Sequence, residues 1–295
     1  MQYGIYYAYW ERQWGADYLK YVEKVKRLGF DILEISCAGL KDLPGEAILK
    51  LKECKDKEGI SLTAGYGPRP DEDISSENPD IVKRAFQFWK DTFPILKILG
   101  IHQVGGGLYA SWPADYSKKP DKKGGLERSI RNMRKLAKLA EEYEIELDME
   151  ALNRHEGYLI NTVKECRDYV NEVDAENVKI MLDTYHMNIE EDSLEDAVLS
   201  AGRKLGHFHI GENNRKLPGQ GRIIPWTQIG KALQKINYTG TVVMEPFVIC
   251  GGEVGQDIRI WRNLKEDCSE QILDREAEES LKFIRKAFEK ENEDV

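Results

Sequence analysis

The sequence predicts an α/β protein, a single domain spanning residues 1–295 and folded as a (β/α)8 barrel. Three observations lead there. Strand-like and helix-like patterns alternate from one end of the chain to the other. Glycine follows the last periodic residue of several helical stretches, where a helix is expected to stop. No phosphate-cradling glycine pattern follows the first strand, because YYAYW stands at 6–10, so an open dinucleotide-binding sheet is disfavoured.

Taken in order, the first strand is expected at Tyr3–Tyr7, and a helix over Ala16–Leu28 closes at Gly29. A strand at Ile32–Cys37 and a helix at Glu46–Glu58 follow, then a strand at Ser61–Gly65. Asn78–Pro79 opens a helix that runs to Leu99, with a kink or break expected at Pro94. The fourth strand, His102–Gly105, runs into the glycines at 105–107, which read either as backbone leaving room in the barrel mouth or as a flexible turn. Leu126–Tyr143 is an amphipathic helix, followed by a strand at Glu146–Ala151 and a helix at Thr162–Glu172. The apolar run Val178–Asp183 is the sixth strand, and Ser193 starts a helix to Arg203. Strands at His207–Ile210 and Thr241–Glu245 flank a helix at Thr227–Lys235. A charged helix, Ile272–Lys290, closes the ring, and Glu291–Val295 is expected to fray. The long connection beginning PFVICGGEVGQDIRIWRN is expected either to cover the barrel mouth or to pack on a second subunit.

Net charge is −9 and no basic stripe is present, which argues against nucleic-acid binding. The five cysteines are odd in number and lack metal-ligand spacing. The N-terminus MQYGIYYAYW lacks the layout of an export signal, and no apolar run approaches the ~18 residues of a membrane span. Free thiols, a cytoplasmic location and no membrane association are therefore expected.

In such barrels the chemistry sits at the C-terminal ends of the strands. Four successive ends carry Glu150, Asp183, His209 and Glu245. Period-two alternation puts Glu146, Asp148 and Glu150 on one face, and His207 and His209 likewise, leaving Leu147, Met149, Phe208 and Ile210 for the helices. Buried carboxylates need compensation. Three carboxylates and one imidazole suit Mn²⁺, Mg²⁺ or Co²⁺ better than structural zinc. The alternative is a network of satisfied buried acids. Glu156, His186 and Arg215 follow three of these ligands within six residues, placed to hold substrate hydroxyls. Taken singly, Glu156 and Arg215 also read as solvated loop charges. Tyr6, Tyr7 and Trp112 add aromatic surface at the same rim, and a lining of this mixture suits a sugar.

The segments GIYYAYW (4–10), LTAGYGP (62–68), MLDTYHMNIEE (181–191), GHFHIGENNR (206–215) and VVMEPFV (242–248) closely resemble the D-tagatose 3-epimerase family, within it the D-psicose (D-allulose) 3-epimerases. The likeness runs to about Arg262. It implies one Mn²⁺ or Co²⁺ per subunit, held by Glu150, Asp183, His209 and Glu245, and a free ketohexose as substrate. It carries substrate contacts onto Glu156, His186 and Arg215, with Tyr6 and Trp112 lining the pocket, and a homodimer or homotetramer as the assembly. Gly107 stands where relatives often have Ala, and His155 where an aromatic is common; both bear on which ketose is preferred.

The expected reaction interconverts D-fructose with D-psicose, or D-tagatose with D-sorbose, by moving the proton at C3. Glu150 and Glu245 would serve as the two bases, one on each face of the carbon. Rival readings are an aldose–ketose isomerase on the same site, a metal-dependent DNA-repair nuclease, which wants more than five histidines and a basic groove, and a sugar-binding protein without turnover.

Overall fold

Each strand turns apolar side chains toward the helices, and several turn polar ones inward. In β5 (Glu146–Glu150), Leu147 and Met149 are fully buried on one side while the acids at 146, 148 and 150 occupy the other. Repeated around the ring, this division closes the sheet. The structure, a computed structural model, describes residues 1–117 and 119–289. Strands β1 (Gln2–Tyr6), β2 (Ile32–Ser36), β3 (Ser61–Gly65), β4 (Gln103–Gly106), β5, β6 (Val178–Asp183), β7 (Leu205–Ile210) and β8 (Thr241–Met244) pair in sequence order and in parallel. β8 returns to β1, with Val243 opposite Gly4. The (β/α)8 barrel is the one expected. A register shift at Ile180/Met181 brings His207 and His209 beside Met181 and Asp183.

The helices are α1 (Tyr18–Arg27), α2 (Gly45–Glu58), α3 (Pro79–Leu99), α4 (Lys122–Glu141), α5 (Val163–Val173), α6 (Thr184–Glu190), α7 (Leu194–Ala201), α8 (Trp226–Lys235), α9 (Gly252–Asp257) and α10 (Glu270–Phe288). Their signals act as the residues suggest. The Asn78 side chain accepts from the Asp80 N–H, and Ser193 from that of Asp196. Gly59 and Gly100 end α2 and α3 at φ +66° and +67°, a conformation other residues adopt only with strain.

Several expectations change. β5 ends at Glu150, and α6 and α9 are helices beyond those expected. Of the kink or break at Pro94, the break does not occur; α3 buries Trp89, Phe93, Leu96 and Leu99 around it, and that packing outweighs one missing N–H bond. The β8 ladder stops at Met244, so Glu245 stands just past the strand. Tyr7 begins a short 3₁₀ turn and is buried behind the sheet, edge-on to Tyr18 at 5.0 Å, instead of at the rim. The expected last helical residue, Lys290, and the frayed end Glu291–Val295 lie outside the described residues.

The connection after β8 folds over the mouth. α9 is tied to the segment after β1, with the Val254 N–H donating to the Arg12 carbonyl (3.0 Å) and the Trp14 indole to Asp257 (2.7 Å). Among the described residues, no helix is long and apolar enough to cross a membrane.

Candidate active site

At the C-terminal mouth of the barrel lies a cavity of about 620 Å³. That volume suits a small ligand. Tyr6, Trp112, Glu150, Glu156, His186, His209, Arg215 and Glu245 all line it. Asp183 stands just behind, 1% exposed and within 3.3 Å of the Arg215 guanidinium. The residues expected to hold the metal or contact the substrate thus converge on one site, whereas Tyr7 and His155 do not line it, His155 lying at a neighbouring cleft.

The glycines that end β4 shape one wall. A Cβ on Gly105 would meet the Met181 sulfur at 2.5 Å, and one on Gly106 would strike the Tyr66 carbonyl. Gly105 and Gly106 are strand residues lining the cavity, so the flexible-turn reading does not apply to them, and what a Cβ there would meet is neighbouring protein.

Asp183 does two jobs. Its Oδ1 caps α6 by accepting the Tyr185 N–H at 2.8 Å, while Oδ2 faces the site. One donor each from Asp183, His209 and Glu245 lies within 4.8 Å of the others, and the same holds for Glu150, Asp183 and His186. The two sets share Asp183.

Hydrogen bonding decides which imidazole is free to ligate. Asn153 donates to His186 Nδ1 from its backbone N–H (3.2 Å) and approaches it with its amide nitrogen (2.7 Å). Nδ1 is therefore the acceptor, and in the neutral ring Nε2 carries the hydrogen. Burial, outweighing the attraction of Glu156, holds the His186 pKa below its ordinary value, so the ring is neutral. Its Nε2–H points toward Glu150 (3.5 Å) as a donor, unsuited to ligation. His209 is the reverse case. Its Nε2 meets Glu34 at 2.5 Å, leaving Nδ1 with no hydrogen-bond partner, 3.6 Å from Glu245. An unpartnered buried nitrogen among three carboxylates fits a hard divalent cation.

Arg215 is the site's fixed positive charge. Its guanidinium lies 2.9 Å from Glu245, 3.3 Å from Asp183 and 3.3 Å from Glu156, stacked over the Tyr185 ring at 3.7 Å. The backbone holds it at φ +66°, a strained setting of the kind found at functional sites. Phe247 N–H donates to its carbonyl at 2.8 Å and helps lock it. Burial alone would raise the Glu156 pKa, but the His186 and Arg215 sides and the Trp112 and Asn153 donors hold it at about 2. Glu150 goes the other way: burial first, then repulsion from Glu245, raises it well above a carboxylate's usual range.

Sequence reasoning missed Glu34 and Asn153. Glu34 left one signal, a lone charge in the apolar strand ILEIS on the face it shares with Ser36. Asn153 left none beyond its position three residues past Glu150.

Comparison with known proteins agrees with this geometry. The family described as xylose isomerase-like TIM barrel matches residues 22–287. The D-psicose 3-epimerase of Enterocloster bolteae is 51% identical over 98% of this chain and 96% of its own. That of Ruminiclostridium cellulolyticum is 52% identical, with 98% of each chain covered. A crystal structure of D-psicose 3-epimerase with D-tagatose from Clostridium cellulolyticum H10 superposes with a TM-score of 0.97 at 52% identity, covering 98% of this chain and 100% of that one. The chain belongs to the xylose isomerase-like TIM barrel family and, within it, to the tagatose/ketose 3-epimerase family.

Proposed function

We propose that this protein is a metal-dependent ketose 3-epimerase that interconverts free ketohexoses at C3, with D-fructose and D-psicose as its pair. The observation that carries the reading is the placement of two acids. Glu150 ends β5 and Glu245 follows β8, so they enter the cavity from strands separated by β6 and β7. Inversion at a carbon needs a proton acceptor and a proton donor on opposite faces, and two acids across a cavity supply both.

The cation site would consist of Glu150, Asp183, His209 and Glu245. A divalent cation held there, Mn²⁺ or Co²⁺, supplies Lewis-acid stabilisation of the negative charge that grows on O2. Glu150 and Glu245 exchange the C3 proton, one removing it and the other returning it, with roles reversed in the other direction. The Arg215 guanidinium and the His186 Nε2–H orient the oxygens around C2. Glu156, held by Trp112 and Asn153, takes the O1 end. Tyr6 and Trp112 offer ring faces to the C–H side of the sugar. α9 and Trp14 cover the mouth and limit water, which strengthens every electrostatic contact inside.

The test is D-fructose in D₂O with added Mn²⁺. D-psicose carrying deuterium at C3 is expected, whereas psicose free of solvent label overturns the proton-exchange route. An aldose product labelled at C2 would assign the site to aldose–ketose isomerisation. The reading includes a homodimer or homotetramer. Light scattering of the purified protein tests that assembly.

A further inference from the structure

We propose that Glu34 is a positioning residue for cation binding, acting through His209 from the far side of the barrel. This rests on the metal-site reading above and adds a residue outside its ligand set.

Glu34 lies in the middle of β2, 1% exposed. β2 and β7 are not neighbours, since β8 and β1 stand between them, so any contact between Glu34 and His209 crosses the barrel interior. The two carboxylate oxygens divide the work. Oε2 accepts from the Thr63 hydroxyl at 2.8 Å and lies 2.8 Å from His207 Nε2. Oε1 is left to His209 Nε2 at 2.5 Å. His207 is itself anchored, with Nδ1 2.5 Å from the Thr241 hydroxyl, which donates to Gln103. The Thr63 hydroxyl thus holds one oxygen, beside the His207 ring, so that the other points at His209.

A carboxylate can only accept, so Nε2 keeps its hydrogen, and when the ring gives up its other proton to bind a cation it is Nδ1 that offers the lone pair. Nδ1 is the atom that faces Asp183 and Glu245 without a hydrogen-bond partner. Without the acceptor at position 34 the ring can rotate or take the other tautomer, placing an N–H where a lone pair is needed. Carboxylate partners of ligating imidazoles act in this way in metal sites generally.

The experiment titrates the Mn²⁺-loaded holoenzyme with a chelator and reads free Mn²⁺ by electron paramagnetic resonance. Wild type, Glu34→Gln and Thr63→Val are compared. Glu34→Gln is expected to weaken Mn²⁺ affinity by about 10- to 100-fold. Thr63→Val, which frees one end of the carboxylate, is expected to weaken it by less. Turnover lost in Glu34→Gln should return as Mn²⁺ is raised, which a purely structural defect would not allow. Unchanged affinity in both variants, or lost turnover that excess Mn²⁺ does not recover, overturns the role of Glu34. Wild type that binds no Mn²⁺ overturns the metal-site reading itself. Should Glu34→Gln fail to fold, Thr63→Val with wild-type affinity overturns the proposal and with reduced affinity supports it.

Discussion

Glu34 and Asp148 are both carboxylates inside the barrel, both cut off from solvent, and they have opposite fates. Glu34 has a hydroxyl and two imidazoles around it. Burial pushes its pKa up, but His209 and His207 more than offset that and hold it far below the usual range. Both oxygens of Asp148 lack a hydrogen-bond partner, with Oδ1 packed against Gly206. Burial, with Glu146 adding repulsion, raises its pKa well above 3.8. Thus depth alone does not set the charge; partners do. Glu156 in the mouth follows the Glu34 pattern, with a guanidinium and hydrogen-bond donors facing it, whereas Glu150 in the mouth and Asp148 on the floor follow the other.

The comparison is tested most severely where the acids are proposed to do chemistry. Glu245→Gln and Glu150→Gln each keep the shape of the site and remove a proton acceptor. Each is expected to lower kcat by about 10³-fold or more. Steady-state turnover of D-fructose measures it, and near-normal turnover in either variant ends the two-base assignment.

Next in size is the mouth's counter-charge. Arg215→Met leaves Asp183, Glu245 and Glu156 without their shared guanidinium. Removing one partner of a buried ion pair costs about 3–5 kcal/mol. Urea denaturation of the metal-stripped protein should show a loss of that order; a loss under about 1 kcal/mol would mean that the guanidinium is not what these ion pairs depend on.

The same contrast explains what could be read in advance. Glu150, Asp183, His209 and Glu245 were legible because strand alternation and a C-terminal strand end locate a residue without knowledge of any neighbour. The barrel was legible for a similar reason, since Gly59 and Gly100 punctuate helices by local backbone geometry. Glu34 was not, because its meaning lies in His209, 175 residues away along the chain. Asn153 matters through Glu156 and through His186, which reaches it from the start of α6. Tyr7 was misplaced at the rim because the YYAYW aromatics look alike until the 3₁₀ turn sorts Tyr6 inward and Tyr7 outward. Contacts across the ring belong to the closed barrel and leave little local trace in the sequence.

Asp148→Asn probes the floor. A carboxyl whose folded-state pKa is raised binds its proton more tightly in the native chain than in the unfolded one. Its native stability is therefore greatest below about 3.8 and falls as pH rises toward the folded value, by up to about 1.4 kcal/mol per pH unit. Asn does not titrate, so the variant should match wild type near pH 4 and gain on it toward pH 8. Gln103, Glu146, Lys179 and Glu34 act on the same carboxyl, and none of them is changed by the substitution. Chemical denaturation at the two pH values decides it; an equal loss at both would show that Asp148 is held charged.

The smallest effect is expected at the cavity wall, where neither charge nor a hydrogen bond is at stake. A Cβ at Gly107 would stand 3.1 Å from the Leu152 Cδ1, the tip of a side chain that can give by a few tenths of an ångström. Both residues line the cavity. Gly107→Ala should leave stability within about 1 kcal/mol of wild type, since the added methyl meets a movable group. Turnover should persist while the ratio of kcat/KM between D-fructose and D-tagatose shifts, because a methyl in a sugar-sized cavity discriminates by shape alone, at about 1–3 kcal/mol. A variant that loses turnover on both ketoses together would mean this wall supports the reacting groups, and the division between a charged mouth and a merely shaped wall would have to be redrawn.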